Sequence, residues 1–169
     1  MAISRRALLK ASAALGGAIT LAGGATVAHW WDQAARPGWL CLSEAEQRFL
    51  CAFADTVFPP GGEPAISGSE AGATEVFDAV VGAMAPDQRN ALKLFLNALN
   101  ASTRPTHLRA FEQLGPEHRD EVLTDWEHHP ISEWRNAIQS LKILVGIGFT
   151  THPDVAALIS PHFLLGYGR

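Results

Sequence analysis

The sequence predicts an all-α domain, a compact bundle of about six or seven short helices behind an N-terminal signal helix. Three observations carry this. Apolar residues recur at helical spacing through most of the chain after residue 43. Prolines and small polar residues punctuate those runs where helices start and stop. Nowhere does an alternating apolar and polar stretch read as a strand.

The first 28 residues form a unit of their own. Ser4-Arg5-Arg6-Ala7-Leu8-Leu9-Lys10 precedes an apolar run from Ala11 to Ala28, and no acidic residue occurs before Asp32. Paired arginines, a Leu-Leu pair, a lysine and a Gly-containing apolar segment make up a twin-arginine export signal, read by the twin-arginine translocase. Positive charge stays on the cytoplasmic side while the apolar run enters the bilayer. Gly16, Gly17, Gly23 and Gly24 keep that run only moderately apolar, which suits a signal better than a permanent span. Two fates stay open. Small residues at Thr26 and Ala28 permit cleavage; retained, the eighteen residues would cover roughly 27 Å and could anchor the protein.

Residues 29–42 form a linker with Trp30, Trp31, Trp39 and the break Arg36-Pro37-Gly38. Residues 43–169 form the helical domain. Ser43-Glu44-Ala45-Glu46 is a capping box that opens the first helix. Ala45, Phe49, Phe53 and Val57, with Leu50 and Ala54 beside them, make its buried stripe. Phe58-Pro59-Pro60 ends it, because a residue before proline is pushed out of the α region. An irregular loop over 61–72 follows, then a helix over 74–84 with Val76, Phe77, Val80, Val81 and Met84 on one face.

Pro86, at a first-turn position, opens a helix to about residue 101 that presents Leu92, Phe95, Leu96 and Leu99. A short amphipathic helix is expected over 106–114, closed by Gly115. The next begins at Pro116, carries Val122, Leu123 and Trp126, and stops at Pro130. The longest apolar element runs from Ser132 to about Phe149. Lys142 is its only charge from Leu141 onward, so it reads as a central helix covered on most sides. It is too short to span a membrane. A last short helix covers 153–159, and 160–169 reads as an irregular tail containing Tyr167.

Charge excludes one class of partner. All 17 acidic residues follow Ala28, and three of the 13 basic residues precede it, so the domain carries ten basic residues against 17 acidic, a net −7. Nucleic-acid binding needs a basic footprint, and none exists. Cys41 and Cys51 would stand about 12 Å apart if Cys51 lies eight residues up a helix, too far for a disulfide. Unless the Trp39–Leu42 segment folds back, both read as small buried side chains.

Chemistry is hard to find. The seven histidines include no His-x-x-x-His pair; His118, His128, His129, His152 and His162 would have to converge in space to hold a metal. There is no nucleophile elbow, no nucleotide-binding Gly loop and no haem-attachment motif. The carboxylate pairs Glu44/Glu46 and Asp120/Glu121 read as solvated charge on polar helix faces.

Taken together, the N-terminal signal, Leu42-Ser43-Glu44-Ala45-Glu46, the run Ala54 to Pro60, Ser69 to Asp78, Gly148 to Pro153 and Gly166-Tyr167-Gly168 resemble the gluconate 2-dehydrogenase subunit 3 family. These are small subunits of exported FAD-dependent sugar or alcohol dehydrogenases. The resemblance implies a subunit with no cofactor, metal or catalytic residue of its own. FAD would sit on a large dehydrogenase subunit, and haem on a multihaem cytochrome c subunit where one is present. It also implies that the large subunit, lacking a signal, crosses folded with this chain to the periplasm. Trp30, Trp31, Trp39, Phe58, Pro59, Pro60 and Tyr167 are the expected docking surface, since aromatic side chains with little charge favour interface cores; the alternative is that they close a small core. Two further readings stand beside this one, an autonomous periplasmic metal-binding protein and a membrane-tethered scaffold.

Overall fold

A computed structural model describes Trp30 and residues 33–163, with side chains placed as far as residue 159. Among these residues the architecture is all helical, with six helices of ten residues or more, one single-turn helix and one 3-10 turn. The signal segment, Trp31 and Tyr167 lie outside the described residues.

Ser43 caps the first helix, α1 (Glu44–Val57), as a capping box requires. Its hydroxyl accepts from the Glu46 amide at 3.4 Å, and the Glu46 carboxylate accepts from the Ser43 amide at 2.8 Å. Phe49, Leu50, Phe53 and Ala54 are buried, while Ala45 and Val57 are only half-buried. The loop to α2 (Ala73–Gly82) passes so close to α1 that a Cβ on Gly68 would stand 2.4 Å from the Ala54 carbonyl oxygen. Phe77 and Val81 of α2 enter the core, and Val80 is turned outward. The next helix, α3 (Pro86–Ser102), buries Leu96 and Leu99.

The expected helix over 106–114 does not form. A single turn, α4 (Arg104–His107), ends at Leu108 in the left-handed region (φ 56°), and a 3-10 turn follows at Phe111–Gln113. Tertiary bonds hold this break open. The Thr103 hydroxyl donates to the Arg109 carbonyl at 2.7 Å, and the Asn100 side chain accepts from the Glu112 amide at 3.1 Å. The result drops Phe111 into the centre, edge-on to Phe49 at 5.5 Å and stacked on Trp126 at 5.0 Å. Burying one such ring is worth about 1.5–3 kcal/mol, more than one short helical turn gains in water.

Trp126 comes from α5 (Pro116–Glu127), which Pro116 opens as expected. The longest helix, α6 (Ser132–Thr150), buries Ile138, Leu141, Val145 and Gly148 on one face. That face lies along α2, where a Cβ on Gly148 would stand 2.7 Å from the Ala73 backbone. Only glycine permits this approach. As expected, α6 is covered on most sides, but one stripe containing Ile143 and Ile147 is open. The final helix, α7 (Pro153–Phe163), runs four residues past its expected end at Ile159, so Pro161 is accommodated inside a helix close to its C-terminus.

Candidate functional site

Two regions stand out from ordinary helix packing. The first is a buried polar clasp between α1, α2, α3 and the chain that precedes α1. Asp78 of α2 accepts from three consecutive backbone amides: Leu40 at 2.6 Å, Cys41 at 3.1 Å and Leu42 at 3.0 Å. The Cys41 thiol donates to the same carboxylate at 3.2 Å. Burial works against the charged form of Asp78, but these donors outweigh it and hold the carboxyl below the usual range. Burial together with the Asp78 carboxylate pushes the Cys41 thiol up to about 12, so it stays protonated as a donor.

On the other side of Cys41, the Lys93 ammonium of α3 donates to the Gln33 carbonyl at 3.0 Å and the Cys41 carbonyl at 2.9 Å. Its counter-charge is Glu46 of α1, 3.6 Å away. Lys93 is 5% exposed and Glu46 1%. The Glu46 carboxylate also accepts from the Asn97 amide at 2.9 Å, and the Ser43 hydroxyl bonds the Gln33 side chain at 2.7 Å. Each ion therefore has a partner and further hydrogen bonds, the condition under which a buried pair is tolerated. Glu46, expected as a solvated cap residue, does both jobs: it caps α1 and neutralises Lys93.

The second region is the exposed apolar side of α6, with α7 following it in the chain. Ile143 and Ile147, four residues apart on one helix face, are 61% and 51% exposed, and Leu158 of α7 is 41% exposed. Of the described side chains on α7 only Val155 is buried, with Ala156 and Ala157 facing out. Between Ile143 and Ile159 the chain has one charged residue, Asp154. Next to this edge, Phe58 stacks on Phe149 with ring centroids 4.1 Å apart and reaches to within 3.7 Å of the Cβ position of Gly146. The exposed Pro59-Pro60 corner thus leaves α1 beside α6.

The family described as gluconate 2-dehydrogenase subunit 3 matches residues 44–159, from the first residue of α1 into α7. The chain belongs to that family. No curated protein and no solved structure matches it. The family name marks subunit 3 as one component of a dehydrogenase, and the match covers both the α1–α3 side of the clasp and the apolar edge.

Within this subunit 3 chain, the residues that sequence singled out are scattered. Ser4, Arg5, Arg6, Leu8, Leu9 and Lys10 lie outside the described residues, as do Trp31 and Tyr167. Trp30 and Trp39 are half-buried, and Trp39 packs on the core. Phe58 is half-buried in its stack, while Pro59 and Pro60 are exposed. Both cysteines are free. Cys51 is half-buried, and burial raises its thiol pKa above the ordinary value. It borders an open depression of about 530 Å³ with Arg36, Gln47, Arg48, Glu112 and Gln113. The charges there already satisfy one another: Arg48 pairs with Glu44 at 3.0 Å and Glu112 at 3.5 Å, and Arg36 bonds Gln47.

His107 and His118 meet edge to face with ring centroids 5.9 Å apart, and the other described histidines of the domain sit in separate local contacts. His128 bonds the Thr124 carbonyl at 2.8 Å, His129 accepts from the Ile131 amide, and His152 accepts from the Asp154 amide. Among the described residues no group of three or more His, Cys, Asp or Glu side chains could hold a metal. No helix among them is long and apolar enough to cross a membrane.

Sequence reasoning missed Asp78, Lys93 and Asn97, and did not locate the open stripe of α6. A signal existed. Asp78 and Lys93 each stand next to the apolar stripe of their own helix, Phe77–Val81 and Leu92–Leu96; the sequence does not say that Lys93 pairs with Glu46 while Asp78 takes backbone amides. A charge beside such a stripe is expensive to bury without partners, so each position hints at a buried polar contact without naming it.

Proposed function

We propose that this subunit is a non-catalytic carrier. It binds the FAD-bearing large subunit of a dehydrogenase, takes it folded through the twin-arginine route by means of Arg5 and Arg6, and stays with it in the periplasm. The observation that carries the reading is the water-facing apolar side chains of α6 and α7, in a stretch whose only charge is Asp154, in a chain whose family is named as a dehydrogenase subunit. Two isoleucines held outward on one face of α6, with an exposed leucine on α7, are what a partner's apolar surface covers on assembly. Pro59 and Pro60 extend the edge, and the aromatic Trp30, Trp31, Trp39 and Tyr167 are the further contacts this reading assigns. FAD belongs to the partner, and haem to a cytochrome c subunit where one joins the complex.

Co-expression tests it. The tagged chain, produced with the large-subunit gene that accompanies it, should bring down a yellow flavoprotein in equal amount. Replacing Ile143 and Ile147 together by Asp should release it. A colourless single chain under those conditions overturns the proposal.

A further inference from the structure

The clasp holds the stretch that joins the N-terminal segment to the domain, and its parts come from three separate helices. Glu46 lies on α1, Asp78 on α2 and Lys93 on α3, so the grip exists only once those helices have docked. What they grip is a folded-back strap. Lys93 takes the carbonyls of Gln33 and Cys41 on one ammonium, and the Arg36 amide donates to the Leu42 carbonyl at 2.9 Å. A turn inside the strap is closed by the Trp39 amide on the Arg36 carbonyl at 2.9 Å. The chain therefore enters the domain beside Ser43, at Gln33, rather than hanging free up to the start of α1.

We propose that residues 33–43 are a fold-sensing strap. It closes only on the completed α1–α2–α3 packing, sets a fixed exit point for the N-terminal segment, and when open adds about ten residues of slack between that segment and the domain, up to roughly 33 Å of reach. The consequence for transport rests on the export role given above; the strap itself does not. An incompletely folded domain adds the opened strap to the tether of its export segment, and a folded one takes those residues out of the tether. The groups that hold the strap belong to the chain itself: a carboxylate on three amides and an ammonium on two carbonyls.

Cys41 reports the state of the strap directly, because its buried thiol is bonded to Asp78. In the full chain carrying Cys51→Ser, iodoacetamide labelling of Cys41 should be slow. Asp78→Asn should raise the rate about ten- to a hundredfold while the far-ultraviolet helical signal is kept. Should Asp78→Asn fail to fold, Leu40→Pro decides, since it deletes one strap amide at an exposed side chain outside every helix. Labelling that stays unchanged in Leu40→Pro, or rises only along with loss of helix, overturns the strap.

The transport half has its own arm. Export of the large subunit should drop with Leu40→Pro, and vanish with Arg5→Lys plus Arg6→Lys. Full export with an open strap overturns the coupling. Full export with the lysine pair overturns the export reading and leaves the labelling result standing.

Discussion

Around Lys93, charged side chains are shut away from water, whereas along α6 and α7 isoleucine and leucine face it. The two regions are built from the same kind of amphipathic helix and break the same rule in opposite directions. At the clasp, burial of charge is repaid by pairing and by backbone carbonyls and amides, so the arrangement is complete within the chain. At the edge, exposure of hydrocarbon is offset by nothing in the described residues. A self-satisfied region is a fastening; an unsatisfied one is a surface waiting for contact. The first should therefore be sensitive in stability measurements, and the second in binding measurements.

The largest expected effect is at the clasp. Lys93→Met strands Glu46 as an uncompensated buried carboxylate and should cost about 3–5 kcal/mol in urea unfolding. A loss below about 1 kcal/mol would erase the distinction between the regions. Next comes the buried face of α6. Gly148→Ala drives a methyl against the Ala73 backbone and should cost up to about 3 kcal/mol, by the same measurement. Ile147, one residue away on the open face, makes the contrast within a single helix.

Asp78 sharpens the clasp by its pH dependence. Its carboxyl lies below the ordinary value in the folded chain, so the folded state binds this proton less readily than the unfolded one. The stabilisation is fully present above the unfolded carboxylate range and is lost as pH falls through the folded value. Asp78→Asn should cost about 1–3 kcal/mol near neutral pH, and in thermal melts the gap between variant and parent should begin to narrow as pH falls below the ordinary carboxylate range and close only below the folded value. A constant gap across pH would point to shape rather than charge. The smallest stability effect belongs to the edge. Ile143→Ser with Ile147→Ser should move unfolding by less than about 0.5 kcal/mol while abolishing capture of the large subunit.

The starts of helices were the most legible features of the sequence. Ser43, Pro86, Pro116 and Pro153 act through local backbone chemistry, and each begins or caps its helix as read. The family was legible as well, from the motifs about α1, α2 and the end of α6. Three things were not. The break at Leu108 depends on side chains reaching across from Thr103 and Asn100, and no window of local propensity contains that information. The pairing of Glu46 with Lys93 joins residues 47 positions apart, each of which alone reads as surface charge. The open edge of α6 is invisible because an apolar helix has the same sequence whether its second face meets the domain or a partner.

Lys93 leaves one more consequence. By drawing Gln33 and Cys41 onto one ammonium, it closes a loop of nine residues in the way a cross-link would, and short loops are the cheapest in chain entropy to close. Small exported domains commonly obtain such closure from a disulfide, which must wait for an oxidising compartment. Here the cysteine in the loop stays a thiol and the link is electrostatic. A domain fastened this way needs no oxidant, so it can complete its shape in a reducing compartment and keep it in an oxidising one.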